Sequence, residues 1–152
     1  MAVNLVRYDV CVRNTAQPAP EEEGITVGSS TINNIRTMVD WSVNFFNNYG
    51  PKVLDGFTFE GGYTDTIASG DGDFITSDTL WDFKVSKNPT TNKHTLQLFV
   101  YWRMDFHSIH PKFKSIKYLG IYNPRMNAVY RIDVDSISLE TIDTVEKNVI
   151  EY

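Results

Sequence analysis

A single cysteine, Cys11, stands among the 152 residues, which excludes an internal disulfide and leaves nucleophilic thiol chemistry resting on one residue near the start of the chain. No apolar run approaches the ~20 residues that a membrane helix needs. The longest strongly apolar patch is "LQLFVYW", so no membrane partner is expected and the chain reads as soluble. No charged leader followed by an apolar core opens it, and a reducing, cytoplasmic setting is the corresponding expectation. A dinucleotide-binding glycine fingerprint at a strand-to-helix junction, a P-loop and a nucleophile-elbow serine are all missing, which removes three large enzyme classes. His107 and His110 lie three apart near a helix end, but no cysteine or further histidine completes a tetrahedral zinc set. Helix capping or solvent exposure is expected for them.

What is present is a globular composition, with 41% hydrophobic, 13% aromatic and 22% charged residues, in a chain the size of one ordinary domain. The net charge of -5 argues against a phosphate-binding partner only if it is evenly spread. It is not. Lys84 to Arg131 holds 9 basic residues and 1 acidic residue, while Met1 to Phe83 holds 4 against 12 and Ile132 to Tyr152 holds 1 against 6. A block of +8 flanked by acids permits a basic face on an acidic protein, or else a mixed surface.

Residues 1–28 read as an N-terminal segment running into a Pro/Glu-rich linker, "AQPAPEEEG", with a single domain over 29–152. From Ser29 to Tyr49 the spacing of Ile32, Ile35, Met38 or Val39, Val43 and Phe46 predicts a helix with that stripe inward, and Gly50-Pro51 stops it. "GFTFEGGYT", "GDFIT" and "TLWDFKVS" predict a three-stranded meander, divided by turn chemistry in "ASGDG" and "SD". "HTLQLFVYWRMDFHSI" predicts a second helix ending at His110-Pro111. "IKYLGIYNP" and "NAVYRIDV" predict two more strands, and Leu139, Ile142, Val145 and Val149 a last amphipathic helix. The fold class is therefore α/β in the α+β sense, a mixed sheet with helices packed on it.

The anomaly is charge inside strands. Alternation puts Trp81, Phe83 and Val85 on one face and Asp82 with Lys84 on the other. Pairing across the turn at Ser77-Asp78 brings Asp73 near Asp82. Two carboxylates a few ångströms apart repel by roughly 1 kcal/mol in water and by more where water is scarce, and a divalent cation relieves that repulsion. An ion pair on the solvent face of an edge strand is the alternative. In the second helix, Gln97 and Tyr101 at i, i+4 share a face; core packing for Tyr101 and a plain surface place for Gln97 are the alternatives.

Asp73 in "GDGD", Asp82 and Lys84 in "DFK", and Gln97 and Tyr101 in "QLFVY" fall in an order that resembles the PD-(D/E)xK nuclease superfamily, and most closely its RecB-like exonuclease branch. The resemblance covers roughly residues 29–123. It implies a restriction-endonuclease-like αβββαβ core, here with an added C-terminal strand and helix. It implies further that Asp73, Asp82 and the backbone carbonyl of Phe83 hold Mg²⁺ or Mn²⁺, that Lys84 acts on the attacking water, and that Gln97 and Tyr101 position substrate or brace the site. The family often carries another acid on its first helix. The only acid between Ser29 and Tyr49 is Asp40, and Glu60 on the first strand is a second candidate metal ligand. Arg103 and Arg125, with the rest of the basic block, are candidate phosphate contacts.

The expected function is accordingly a divalent-metal-dependent nuclease hydrolysing phosphodiester bonds in DNA through a metal-activated water. The alternative is a catalytically inactive protein of the same fold that binds nucleic acid or a protein partner. A homo-oligomer is compatible with either.

Overall fold

The computed structural model of the chain describes residues 27–110 and 114–152. Cys11, the Pro/Glu-rich stretch and Lys112 lie outside them. Helix α1 spans Ser29–Tyr49, and strands β1 (Leu54–Thr58), β2 (Asp71–Ile75) and β3 (Thr79–Phe83) follow. Helix α2 (Asn92–His107) crosses to β4 (Tyr118–Asn123), and β5 (Ala128–Asp133) pairs back on it. A 3-10 turn at Val134–Ser136, helix α3 (Leu139–Val145) and a π-helical turn at Glu146–Ile150 complete the described chain.

The sheet order is β1-β2-β3-β4-β5. All neighbours are antiparallel except β3 and β4, which run parallel, as a strand-helix-strand crossover requires. This is a mixed α/β architecture with the central strand, β3, covered on both sides. Alternation along β3 and β4 sends Leu80, Leu119 and Ile121 into a core shared with Leu98, Phe99, Val100 and Met104 of α2 and with Ile150. Trp81 and Tyr122 go the other way, to an aromatic cluster with Phe45 and Phe74. There Phe45 stacks on Tyr122 with ring centroids 4.1 Å apart and meets Trp81 edge-on at 4.8 Å, the two geometries that aromatic quadrupoles favour. The Trp81 indole covers its paired neighbour Gly120, where a Cβ would come within 2.3 Å of the ring.

The chain divides into two compact units, residues 1–37 and 38–152. In the first, residues 29–37 form the opening turns of α1, where the Thr37 hydroxyl donates to the Asn33 carbonyl at 3.0 Å. The second contains the sheet, the later turns of α1, and the remaining helices.

Several predicted details are corrected. The aliphatic stripe of α1 is not the buried one: Ile32, Ile35, Val39 and Val43 are exposed, and Phe45 is the only fully buried residue of the helix. Phe46 of the predicted stripe does pack on the sheet, but its companions there are Phe45 and Tyr49 rather than Val39 and Val43, because adjacent rings bury more apolar area than scattered valines. β1 begins and ends earlier than predicted. Phe59 and the positive-φ Gly61 close a turn through the Gly62 N–H to Phe59 carbonyl bond of 2.8 Å. β3 ends at Phe83, so Val85 is outside the strand and exposed. Leu139 also points to solvent, while Ile142, Val145 and Val149 pack on the core.

Candidate functional site

Asp82 lies on β3, the central strand of the five and not an edge, and Lys84 follows just past its end, its N–H bonded to the Tyr122 carbonyl of β4 at 2.9 Å. Asp82 is only 4% exposed, which removes the reading of a surface ion pair. Its Oδ1 sits 2.9 Å from Lys84 Nζ. That ammonium also donates to Gln97 Oε1 at 3.2 Å, and Gln97 Nε2 in turn donates to the Tyr101 hydroxyl at 2.9 Å. The i, i+4 spacing on α2 thus makes a relay from the strand to the helix, Asp82–Lys84–Gln97–Tyr101. Tyr101 is also a packing residue, its ring centroid 4.7 Å from that of Phe59. Gly70 closes over both rings, where a Cβ would press on each of them at 3.3 Å.

Asp73 reaches the same end of β3 by a different route. The β2–β3 ladder pairs Ile75 with Leu80 and Phe74 with Trp81. One step further, the Phe83 N–H donates to the Asp73 carboxylate, Oδ2, at 2.6 Å. A side chain there takes a bond that a strand backbone would otherwise accept, and so ties the acid to the residue between Asp82 and Lys84.

Electrostatics follow from this placement. Burial pushes the Asp82 carboxyl above its ordinary range. The hydrogen bond and charge of Lys84 pull it down without cancelling the effect, the Asp73 charge adds to the rise, and His94 opposes it. Asp82 Oδ2 is buried without a hydrogen-bond partner, a costly state for a carboxylate oxygen unless something else meets it. His94 is fixed at the start of α2, where its Nδ1 accepts from the Thr91 N–H at 3.2 Å.

Other predicted residues do not join this group. Glu60, expected on the first strand, lies two residues past the end of β1, in the turn that Gly61 and Gly62 impose, and its carbonyl accepts from Ile109 N–H at 2.9 Å. Among the described residues no set of three acids, histidines or cysteines converges in the manner of a metal site. Asp40 supplies no third member. Arg103, expected to contact phosphate, is on another side of α2, its Nη2 2.6 Å from Glu146 Oε1 and its side chain 11% exposed. Its guanidinium lies over Trp102 and Phe106. Arg131 is held by Asp78 at 3.1 Å and covers Tyr118. Lys87, Lys93, Lys114, Lys117 and Arg125 are exposed. His107 packs against Tyr152, with centroids 4.0 Å apart, and its Nε2 is 3.5 Å from Glu146.

Two residues were missed. Asn123, 2% exposed at the end of β4, donates from Nδ2 to the Ser86 carbonyl at 2.8 Å and accepts at Oδ1 from the N–H groups of Ser86 and Arg125. It fixes the path of the chain just after Lys84. The Asn-Pro pair in the sequence signals the turn but not this long-range clamp. Asp105, one helical turn beyond Tyr101, is 1% exposed with neither carboxylate oxygen bonded. Burial alone pushes its carboxyl up to about 8.

An apolar cleft of about 360 Å³ between α2 and β4–β5, lined by Leu98, Phe99, Ile121 and Ile132 among others, contains none of the charged group. Compared with protein-family models, with curated proteins and with solved structures, the chain matches none. Among the described residues no helix is long and apolar enough to cross a membrane.

Proposed function

We propose that the chain is a divalent-metal-dependent nuclease that hydrolyses phosphodiester bonds in DNA, built on a restriction-endonuclease-like core. The observation that carries this reading is the connected set Asp82–Lys84–Gln97–Tyr101 with Asp73 tied to Phe83 beside it. The order helix, meander, crossover helix and parallel strand supports it, since that is the frame the PD-(D/E)xK resemblance implies.

The donor set suits Mg²⁺ or Mn²⁺. Asp73, Asp82 and the Phe83 carbonyl are hard oxygen donors, and the buried, unpartnered Asp82 Oδ2 is the atom a cation would satisfy. When bound, such an ion supplies Lewis acidity toward the phosphate and lowers the pKa of water. The chain's own residues do the rest. Lys84, held between Asp82 and Gln97, presents an ammonium that orients the attacking water and stabilises the charge that develops on the phosphate oxygens. Gln97 and Tyr101 keep that ammonium from rotating away. The buried setting strengthens each of these interactions. The exposed lysines at 87 and 93 and Arg125 supply phosphate-backbone contacts.

The test is cutting of end-labelled single- and double-stranded DNA with Mg²⁺ or Mn²⁺, beside an EDTA control. Metal-dependent cutting that falls at least about 100-fold in Lys84→Ala, with the melting temperature retained, is the expected result. Mn²⁺ should also raise the melting temperature of the wild type and not that of Asp73→Ala. A wild type that neither cuts nor responds to metal would sink the proposal. The second reading, binding without cutting, draws on the placement of Glu60 away from the two acids; DNA affinity that is indifferent to metal would favour it.

A further inference from the structure

A cleft of about 500 Å³ opens beside Asp73, lined by Phe46, Phe74 and Phe83 together with Lys52, Asp55, Gly56, Asp71, Gly72 and Asp73 itself. We infer that it receives one unstacked base of a single-stranded nucleic acid, and that it favours bases carrying an exocyclic amino group. The inference rests on the proposed nuclease reading for its substrate and for the place of the phosphate.

Three observations carry it. First, the wall is aromatic and only partly covered. Phe46 and Phe83 are half-buried, and they flank the buried Phe74 at centroid distances of 5.4 and 6.5 Å. Partly open rings around a cleft form a stacking platform, which accepts any base through its π face. Second, the cleft is open at its β1 wall. Gly56, between the paired residues Asp55 and Phe57, faces open space, with nothing within 4 Å of where a Cβ would stand, and its φ of +56° favours glycine there. Third, the polar lining is mostly carboxylate. Asp71 and Asp73 are exposed on β2, while Asp55 is held by Lys52. Carboxylates repel a phosphate but accept hydrogen bonds from the amino groups of cytosine, adenine and guanine, which thymine lacks.

Geometry then selects the strand. Asp73, whose carboxylate accepts from the Phe83 N–H, and Phe83 itself border both the candidate catalytic set and the cleft. The rings of Phe46, Phe74 and Phe83 lie on the sheet face away from Asp82 and Lys84, so the base that enters the cleft is a neighbour of a phosphate at the acids that turns around the end of β3. A base paired within a duplex cannot present its face to them, whereas one in a single strand can splay out. The site is thus assigned to single strands.

The test uses the full chain carrying Lys84→Ala, in Mg²⁺, with short thymine oligonucleotides bearing one 2-aminopurine at successive positions. One position should be quenched on binding, and Phe46→Leu should weaken binding of that strand about tenfold. Phe46→Trp should restore it. Asp71→Asn, on an exposed residue, should reduce the preference for a cytosine over a thymine strand without changing the melting temperature. Quenching at no position, or quenching and base preference unmoved by both Phe46→Leu and Asp71→Asn, overturns the inference. Capture of an arginine-rich peptide in place of the oligonucleotide, released by Phe46→Leu, would also overturn it and mark a protein-docking cleft. If the wild type cuts DNA while these variants change nothing, the nuclease reading stands and the cleft does not. If it holds the strand through Phe46 yet never cuts, the reverse is true.

Discussion

Replacing Asp105 by Asn should remove from this protein's stability the pH dependence between pH 4 and 8 that this one carboxyl imposes, leaving the share of the buried Asp82. The Asp105 carboxyl is buried on α2 with neither oxygen bonded, and its pKa is raised from 3.8 to about 8 by desolvation. The fold therefore holds a proton that the unfolded chain releases above pH 4. Stability from this group is complete below the unfolded value and is lost as pH rises, by about 1.4 kcal/mol per pH unit, until the folded value is passed. Between pH 5 and 7 the loss is about 3 kcal/mol, which for a chain of this size moves the melting temperature by on the order of 10 °C. Asn is nearly isosteric and stays neutral. Near pH 4 the two proteins should melt alike, and at pH 8 Asp105→Asn should be the more stable by several degrees at least. Urea denaturation at half-unit pH steps reads the slope directly. Parallel stability curves for the two proteins, or an Asn variant that is weaker at pH 8, would refute the reasoning.

Tyr101→Phe keeps the ring on Phe59 and loses only the hydroxyl that accepts from Gln97; cutting should fall about tenfold as Lys84 loses its brace, with thermal melting nearly unchanged, as paired kinetic and melting assays would show. Arg103→Ala removes the partner of a largely buried Glu146 and should cost about 2–4 kcal/mol in urea denaturation, leaving DNA affinity as it was; a loss of affinity at unchanged stability would return Arg103 to the phosphate contacts. Gly120→Ala forces a methyl into the Trp81 ring at 2.3 Å and should destabilise by at least about 2 kcal/mol, visible as a shift in the denaturation midpoint.

The order of elements was legible because each carried a local signal. Gly50-Pro51 stops α1, the turns at Ser77-Asp78 and Asn123–Asn127 separate strands, and alternation in "TLWDF" splits Trp81 from Asp82. The shared face of Gln97 and Tyr101 was legible for the same reason, since helical spacing fixes which side chains lie together; the bond from Lys84 to Gln97 joins a strand end to a helix and shows only in the fold. What failed to show was decided by competition or by distance. On α1 two apolar stripes share Phe46, and only the packed sheet decides that Phe45 and Tyr49 join it in place of Val39 and Val43. Glu60 was misplaced because Gly61 and Gly62 end the extended chain before it could face the acids. The clamp by Asn123 joins residues far apart in sequence, and the burial of Asp105 contradicts every pattern that its charge suggests.

The binding of the Phe83 N–H by the Asp73 carboxylate bears on how such a site tolerates change. Both acids are delivered by one hairpin, whose turn at Thr76 and Thr79 is closed by a backbone bond of 3.1 Å, and Lys84 follows directly on its second strand. The long connections on either side, from β1 to β2 and from β3 to α2, set nothing about the spacing of the acids. Doubling the length of such a loop costs only about 0.6 kcal/mol in closure entropy. Insertions there are thus a cheap evolutionary variable. They can change what is admitted to the carboxylates, and from which side, while the hairpin that holds the charges stays the same.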